Sequence, residues 1–151
     1  MAQPSTSPVN VVLGAAGATG LECVKRLLAT SDLPTRAVVR DPAKLQGVIE
    51  PSPKLQIAKG DVTDEASVRE ALAGAKGVIF AAAGKGYWSP AEVDFKGVQR
   101  VAAVSKELGV ERVVLVSSML VTKKHWLHPV RLLLNNIRYG LMDNKLKESG
   151  E

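Results

Sequence analysis

A short apolar run followed by a glycine-spaced turn, near the amino terminus, constrains the fold of this chain more than any other feature. Residues 9–13 are Val-Asn-Val-Val-Leu, and glycines follow at positions 14, 17 and 20. An almost wholly apolar run of this length is typical of a strand that is covered on both faces. The small residues that follow allow a sharp change of chain direction, so the segment predicts a strand, a tight turn and a helix in series.

The predicted turn also has the chemistry of an anion-binding site. A pyrophosphate can approach main-chain N–H groups that no Cβ shields, and the start of the next helix adds about half a positive charge. The hydroxyl of Thr19 supplies a further donor. We therefore predict a dinucleotide phosphate site at six small residues, namely Gly14, Ala15, Gly17, Ala18, Thr19 and Gly20.

The spacing of these glycines leaves a second interpretation open. They follow the pattern G-x-x-G-x-x-G rather than the commoner G-x-G-x-x-G, and a glycine pattern alone also occurs in strand-to-helix turns that bind nothing. A P-loop is disfavoured, because Leu21 stands where that motif requires lysine.

The composition predicts one domain with an aliphatic core. The chain has 151 residues, of which 46% are hydrophobic and only 4% aromatic, and this length corresponds to a single domain. We expect a disordered tail over residues 1–8, which is rich in Ser, Thr and Pro, and one folded domain over residues 9–151. The single cysteine, Cys23, is expected to be a small buried hydrophobe.

The charge favours an anionic partner. A net charge of +5 suits a nucleotide cofactor as well as nucleic acid or lipid. The scarcity of aromatic residues and the lack of a recognition motif argue against nucleic acid. His125 and His128 lie three residues apart without acidic partners nearby, so we expect no metal site. No apolar run reaches the length of a membrane span.

Apolar runs that alternate with helical patterns predict the architecture. Strands are expected over residues 9–13, 35–40, 55–59, 76–84 and 112–116. The first helix is expected over residues 18–29, and a second is expected to begin at Pro42. A third is expected after an N-cap at Thr63 or Asp64, and a fourth from Pro90 to Leu108. This order predicts the α/β class, with a doubly wound parallel sheet in strand order 3-2-1-4-5. The carboxyl ends of the strands then meet at one rim, where such sheets bind ligands.

The residue that ends the second strand is expected to select the cofactor. In dinucleotide-binding sheets an acidic residue there binds the ribose hydroxyls of NAD, whereas an arginine accommodates the extra phosphate of NADP. Arg40 occupies this place, with Lys44 one helical turn further on, so we predict NADP(H), with NAD(H) as the alternative. Asp41 either accepts from the ribose or caps the helix that begins at Pro42.

Other candidate binding residues follow the remaining strands. Asp61 and Val62 follow the third strand and are expected to border an adenine. The fourth run ends in four residues with almost no side chain, which leave room for a cofactor: Ala81, Ala82, Ala83 and Gly84. Ser117 follows the fifth strand. All of these positions fall on one rim of the predicted sheet.

Five stretches of the chain resemble an atypical short-chain dehydrogenase/reductase with an NmrA-like, NAD(P)-binding Rossmann domain. They are residues 14–20, 36–42, 60–64, 93–98 and 114–118. Residues 126–147 are further similar to plastid redox proteins related to the NAD(P)-binding component of the inner-envelope protein translocon. The resemblance implies NADP(H) binding in a plastid, association with a membrane and docking of ferredoxin–NADP reductase. The alternative location is the cytoplasm.

Two features of the chain depart from that family. The usual Tyr-x-x-x-Lys pair is missing, because Tyr139 is followed by Asp143 at the lysine position. Ser118, Lys145 and Lys147 are left as weak catalytic candidates. The relatives also continue beyond the equivalent of Lys147, whereas this sequence ends at residue 151, so we expect it to lack the carboxyl-terminal substrate lobe.

Two classes of function are consistent with these features. The first is an NADP(H)-binding protein of reductase ancestry, acting as an oxidoreductase or a redox sensor. The second is a non-catalytic module that docks a protein or membrane partner through one apolar stripe, formed by Val130, Leu133, Leu134, Ile137 and Leu141. The alternative for that stripe is a helix that packs on the sheet.

Overall fold

A five-stranded parallel sheet forms the centre of the molecule. The computed structural model describes residues 7–84 and 91–117. The strands are β1 (Val9–Leu13), β2 (Thr35–Val39), β3 (Leu55–Lys59), β4 (Ala75–Phe80) and β5 (Arg112–Leu115). Their spatial order is β3-β2-β1-β4-β5, and every neighbouring pair runs parallel. This confirms the predicted doubly wound sheet and its strand order.

Helices cover both faces of the sheet. Helix α1 (Ala18–Thr30) and the 3₁₀ helix Pro42–Leu45 cover one face, and helices α2 (Glu65–Ala71) and α3 (Val98–Glu107) cover the other. Side chains alternate between the faces, because successive residues of a strand point in opposite directions. On β2, for example, Val38 packs towards α2 and α3, whereas Val39 packs towards α1.

Each face has its own core of aliphatic side chains. The core on the α1 side is formed by Val12, Ala15, Val24, Ala37, Val39, Leu45 and Ile49. The core on the α2 and α3 side includes Val11, Val38, Val68, Leu72, Val78, Phe80, Val101 and Val104. Cys23 is half-buried and packs against the first of these cores, so it is less covered than we predicted.

The hydrogen bonds between β3 and α2 show which of the two predicted residues, Thr63 or Asp64, caps the helix. The carboxylate of Asp64 accepts hydrogen bonds from the main-chain N–H groups of Ala66 and Ser67, both at 3.3 Å. Thr63 instead donates its hydroxyl to Asp61 at 2.8 Å. Asp64 is therefore the N-cap of α2.

Several predicted boundaries differ from the structure. The fourth strand ends at Phe80 rather than at residue 84. The main chain of Ala81 still donates to Leu13 at 2.9 Å, but β1 ends there and turns away at Gly14, so residues 82–84 do not pair with β1. The segment from Pro42 is a single 3₁₀ turn rather than an α-helix.

The helix predicted from Pro90 is also not a regular α-helix. It begins within the described residues as a π-helical segment, Ala91–Gly97, and becomes α-helical only at α3. Leu108 is 40% exposed, although the apolar pattern placed it on the buried face. It follows the last residue of α3, and Gly109, with a φ of +70°, then turns the chain into β5.

Several sequence predictions fall outside the described residues. These include Ser118, both histidines, Tyr139, the lysines at 145 and 147, and the apolar stripe between Val130 and Leu141. The division into a tail over residues 1–8 and one domain stays a prediction. Among the described residues, no helix is long and apolar enough to cross a membrane, and no three potential metal ligands cluster.

Candidate cofactor-binding site

The turn between β1 and α1 depends on a glycine at position 14. Gly14 has a φ of +82°, and the N–H groups of Gly14 and Ala15 donate to the carbonyl of Val38 at 3.1 and 3.2 Å. A Cβ at Gly14 would lie 2.6 Å from the main chain of Ala82. Two main chains therefore approach each other here at a distance that only glycine permits.

The start of α1 is packed tightly onto this turn and is open to an anion. A Cβ at Gly20 would collide with the carbonyl oxygen of Gly14, so Gly20 allows the helix to approach the turn closely. Gly17 is the N-cap, no side chain caps the helix, and its first turn contains no acidic residue. The first N–H groups of an α-helix lack partners within the helix. The positive end of α1 is thus left free of any protein carboxylate in its first turn.

The ends of β2 and the 3₁₀ helix place basic groups beside the cleft. Arg40 is exposed and lines the cleft together with Lys44. Asp41 caps the 3₁₀ helix, because its Oδ1 accepts a hydrogen bond from the N–H of Ala43 at 3.1 Å. Of the two roles that we considered for Asp41, the structure therefore shows the helix cap.

Asp61 presents an ionised carboxylate at the end of β3. Burial opposes its ionisation, but its Oδ1 accepts two hydrogen bonds from Thr63, from N–H at 2.9 Å and from Oγ1 at 2.8 Å. Together with the charges of Arg40 and Arg100, these bonds hold the pKa of Asp61 below its ordinary value. The carboxylate is therefore charged at neutral pH and can accept a hydrogen bond from an amino or hydroxyl group of a ligand.

The segment after β4 forms the opposite side of the cleft. Ala81 and Ala82 lie against Leu13 and Gly14, and the N–H of Gly84 donates to Oδ1 of Asp94 at 3.1 Å. Because the side chains of this segment are methyl groups or hydrogen, the space above the sheet stays open.

Most of the predicted residues line one cleft along the carboxyl ends of β1 to β4. Nine of them border it: Gly14, Gly17, Arg40, Lys44, Asp61, Val62, Ala81, Ala82 and Ala83. Ala15 and Gly20 are buried next to the turn, and Ala18 and Thr19 are exposed in the first turn of α1. Gly84 and Ser117 do not line this cleft, and Ser117 is exposed beyond β5. Their roles towards a ligand stay predictions.

Six further residues line the cleft without having been predicted to bind the cofactor: Leu13, Ala16, Val38, Val39, Gly60 and Val93. Ala16 and Gly60 adjoin predicted positions, and their small size at a strand end or turn is a signal that could have identified them. Val93 comes from the π-helical segment. It is indistinguishable in the sequence from a core valine of an amphipathic helix, so no local pattern marks it.

A doubly wound parallel sheet with a glycine turn from β1 into α1, and a cleft along the carboxyl ends of its strands, defines a dinucleotide-binding Rossmann domain. Comparison with known families agrees with this class. The chain belongs to the NAD(P)H-binding family, whose sequence model matches residues 14–150.

One curated relative is similar to most of this chain. It is 34% identical over 132 residues to an uncharacterized chloroplastic protein of Arabidopsis thaliana, covering 82% of this chain and 47% of that protein. The chain thus spans about half the length of this curated relative.

Two solved structures show the same fold at low sequence identity. The oxidoreductase YlbE of Lactococcus lactis has a TM-score of 0.76 at 19% identity, covering 93% of this chain and 61% of that one. A short-chain dehydrogenase/reductase of Veillonella parvula, solved in complex with NADP, has a TM-score of 0.68 at 15% identity, covering 95% and 62%. These likenesses confirm the predicted Rossmann fold.

Proposed function

We propose that this chain binds NADP(H) in the cleft and forms the cofactor-binding part of a pyridine-nucleotide-dependent reductase or redox sensor. The observation that carries the choice of NADP(H) is the arrangement of Arg40, Asp41 and Lys44. Two cations and the carboxylate of Asp41 line the cleft at the end of β2, and Oδ1 of that carboxylate accepts the helix-cap bond from Ala43. This arrangement favours a phosphate over a pair of ribose hydroxyls.

The pyrophosphate, adenosine and nicotinamide of such a cofactor can each be assigned to a different part of the cleft. The pyrophosphate would lie at the turn of Gly14 and the first N–H groups of α1, where no side chain caps the helix. The adenosine would lie over the ends of β2 and β3, with its phosphate near Arg40 and its adenine near Asp61. The nicotinamide half would then extend towards β4 and β5, because these strands lie on the other side of β1.

Titration calorimetry of the chain with NADPH and NADH tests the cofactor. A charge-assisted hydrogen bond to the extra phosphate is worth about 1.5–3 kcal/mol, so we expect NADPH to bind at least about tenfold more tightly than NADH. Arg40→Ala should remove most of this difference. Arg26→Ala, at an exposed position on α1, is the matched control and should leave both affinities unchanged. No binding of NADPH at high micromolar concentration would contradict the proposal.

The bound cofactor supplies hydride transfer, and this chain supplies its binding. The catalytic candidates Ser118, Lys145 and Lys147 lie outside the described residues. We therefore propose the reaction class, a reduction or oxidation with NADP(H), and assign no substrate. The docking function that the stripe at residues 130–141 suggests gains no support from the described residues.

We further propose that the protein acts in a plastid. The support is the chloroplastic relative from Arabidopsis thaliana together with the sequence resemblance at residues 126–147. Subcellular fractionation of the source tissue, with an antibody against this chain, tests the location. Recovery in the cytosolic fraction alone would contradict it.

A further inference from the structure

A buried carboxylate lies behind the cleft, and the phosphate and adenosine sites described above do not use it. Asp94 is 0% exposed. A carboxylate that leaves water loses its hydration, so a fold retains one in its interior only where hydrogen bonds compensate. The bond from the N–H of Gly84 to Oδ1 of Asp94, at 3.1 Å, is such a compensating contact. This hydrogen bond fixes the main chain of Gly84 relative to Asp94.

The contact with Asp94 completes the attachment of a short segment, residues 81–84. At the start of this segment, the N–H of Ala81 donates to Leu13 at 2.9 Å, and the main chain of Ala82 packs directly on Gly14. Asp94 holds the other end through Gly84. Between these two attachments, no strand in the described part of the chain pairs with the segment, which borders the cleft. Within that part of the chain, its position depends on the contacts at its ends.

The π-helical segment Ala91–Gly97 brings Asp94 to this place. Its Val93 lines the cleft, while the next residue contacts Gly84. At its end, a Cβ on Gly97 would lie 3.2 Å from Cγ2 of Val62, so the segment also packs closely behind the end of β3. A π-helix has a different side-chain register from an α-helix, and such turns are frequent at functional sites.

We propose that Asp94 is a positioning residue for the nicotinamide half of the cofactor. By holding the N–H of Gly84, it fixes residues 81–84 on the β4 side of the cleft, beyond the glycine turn, and so shapes the part of the site that the adenosine half does not reach. This inference rests on the proposed binding of NADP(H). It assigns Asp94 no contact with the ligand.

Comparing NADPH with a shorter ligand that lacks the nicotinamide half distinguishes a positioning role of Asp94 from a general effect on the stability of the fold. We expect Asp94→Ala to weaken the binding of NADPH about tenfold, because without this bond the segment would hold its binding-competent position only about a tenth of the time. The binding of 2′,5′-ADP, which carries only the adenosine half, should change less than about twofold, because separate sites are nearly additive. Asp94→Asn keeps an acceptor oxygen and should restore most of the affinity for NADPH. Glu92→Gln, on the same segment but at a surface ion pair with Lys96, is the charge-matched control.

Hydrogen exchange at the amide of Gly84 gives a readout that needs no ligand. The exchange should be faster in Asp94→Ala than in wild type, and should slow again in Asp94→Asn. If Asp94→Ala does not fold, Asp94→Leu removes the acceptor while keeping the branched shape of the side chain and is measured in its place.

The possible results separate this inference from the proposed function. An unchanged affinity for NADPH in Asp94→Ala, or an equal loss for NADPH and 2′,5′-ADP, overturns the positioning role and leaves cofactor binding intact. A failure of the wild-type chain to bind NADPH overturns the proposed function and the positioning role together. In that case the exchange at Gly84 still reports whether Asp94 holds the segment.

Discussion

Nη1 of Arg36, on β2, donates a hydrogen bond of 2.8 Å to the carbonyl oxygen of Ala71, the last residue of α2. The same atom donates to Ala73 at 2.8 Å, and Nε donates to Gln56 on β3 at 3.2 Å. The last carbonyls of a helix have no partners within the helix. A basic side chain of the sheet thus satisfies the end of the helix that crosses from β3 to β4. Burial lowers the pKa of Arg36, but an arginine remains charged throughout the physiological range.

Removal of this guanidinium is expected to destabilise the fold. Arg36→Met keeps much of the aliphatic stem but leaves the carbonyls of Ala71 and Ala73 without this donor. We expect a loss of about 2 kcal/mol in the free energy of unfolding, the order of a hydrogen bond to a charged group. Urea denaturation measures it. Arg26→Met, at an exposed position of α1, should cost less than about 0.5 kcal/mol. Equal effects of the two substitutions would contradict the role of Arg36.

Alanine substitutions at two glycines with similar backbone geometry can distinguish the cost of a strained conformation from the cost of a steric collision. Gly14 and Gly47 both have a positive φ, of +82° and +71°, but a Cβ at Gly14 meets the main chain of Ala82, whereas nothing lies within 4 Å at Gly47. We expect Gly47→Ala to cost about 1 kcal/mol, from the strained conformation alone. Gly14→Ala adds the collision and should cost about 3 kcal/mol in all.

The same pair of substitutions tests the cleft. Gly14→Ala should displace Ala82 and weaken NADPH binding, whereas Gly47→Ala should leave it unchanged, because Gly47 does not line the cleft. Urea denaturation and calorimetry on the two variants provide the comparison. If both glycines tolerate alanine equally well, the close approach of Gly14 and Ala82 does not constrain the site.

The assignment of Asp64 as the N-cap of α2 can be tested by comparing substitutions at Asp64 and at the adjacent Thr63. Asp64→Ala removes two hydrogen bonds to the start of the helix and should cost about 1 kcal/mol of stability. Thr63→Ala leaves that cap intact and removes only the hydroxyl bond to Asp61, so it should cost less. Thermal unfolding of both variants ranks them. A larger effect at Thr63 would contradict the assignment of the cap.

The sheet could be predicted from local patterns, whereas the contacts that shape the cleft could not. Apolar runs such as Val9–Leu13 indicate buried strands by themselves, and alternation with helices then leaves few topologies. The end of β4 at Phe80 depends instead on where its neighbour β1 turns away. The contact between Arg36 and Ala71 joins residues 35 apart, and neither has a distinctive neighbour in sequence.

The sequence predicted that some residues after a strand would reach the cleft, and their contact with a cofactor stays a prediction. Arg40 and Asp61 reach the cleft because all parallel strands end at the same rim. Val93 and Asp94 reach their places through a π-helical register that apolar spacing does not predict, since that spacing assumes an α-helix. Val93 does belong to the core, as its apolar spacing indicates, but that spacing does not show that it also lines the cleft.

The low pKa of Asp61 makes its contribution to stability depend on pH in a defined direction. The ionised form is favoured in the folded state, since the hydrogen bonds from Thr63 and the charges of Arg40 and Arg100 outweigh the cost of burial. A carboxyl group whose pKa is lower when folded stabilises the fold above its unfolded pKa. That contribution is lost as the pH falls through the folded pKa. We therefore expect Asp61→Asn to be less stable than wild type at neutral pH.

The difference between wild type and Asp61→Asn should be constant at pH 6–7 and should shrink as the pH falls below the ordinary carboxyl value of 3.8. Urea denaturation of both proteins across this range measures it. Asp32→Asn, at an exposed loop position, is the control and should follow wild type at every pH. A stability gap for Asp61→Asn that widens towards acid pH would mean that the folded state favours the protonated carboxyl. In that case the hydrogen bonds from Thr63 and the charges of Arg40 and Arg100 would not outweigh the effect of burial on the pKa of Asp61.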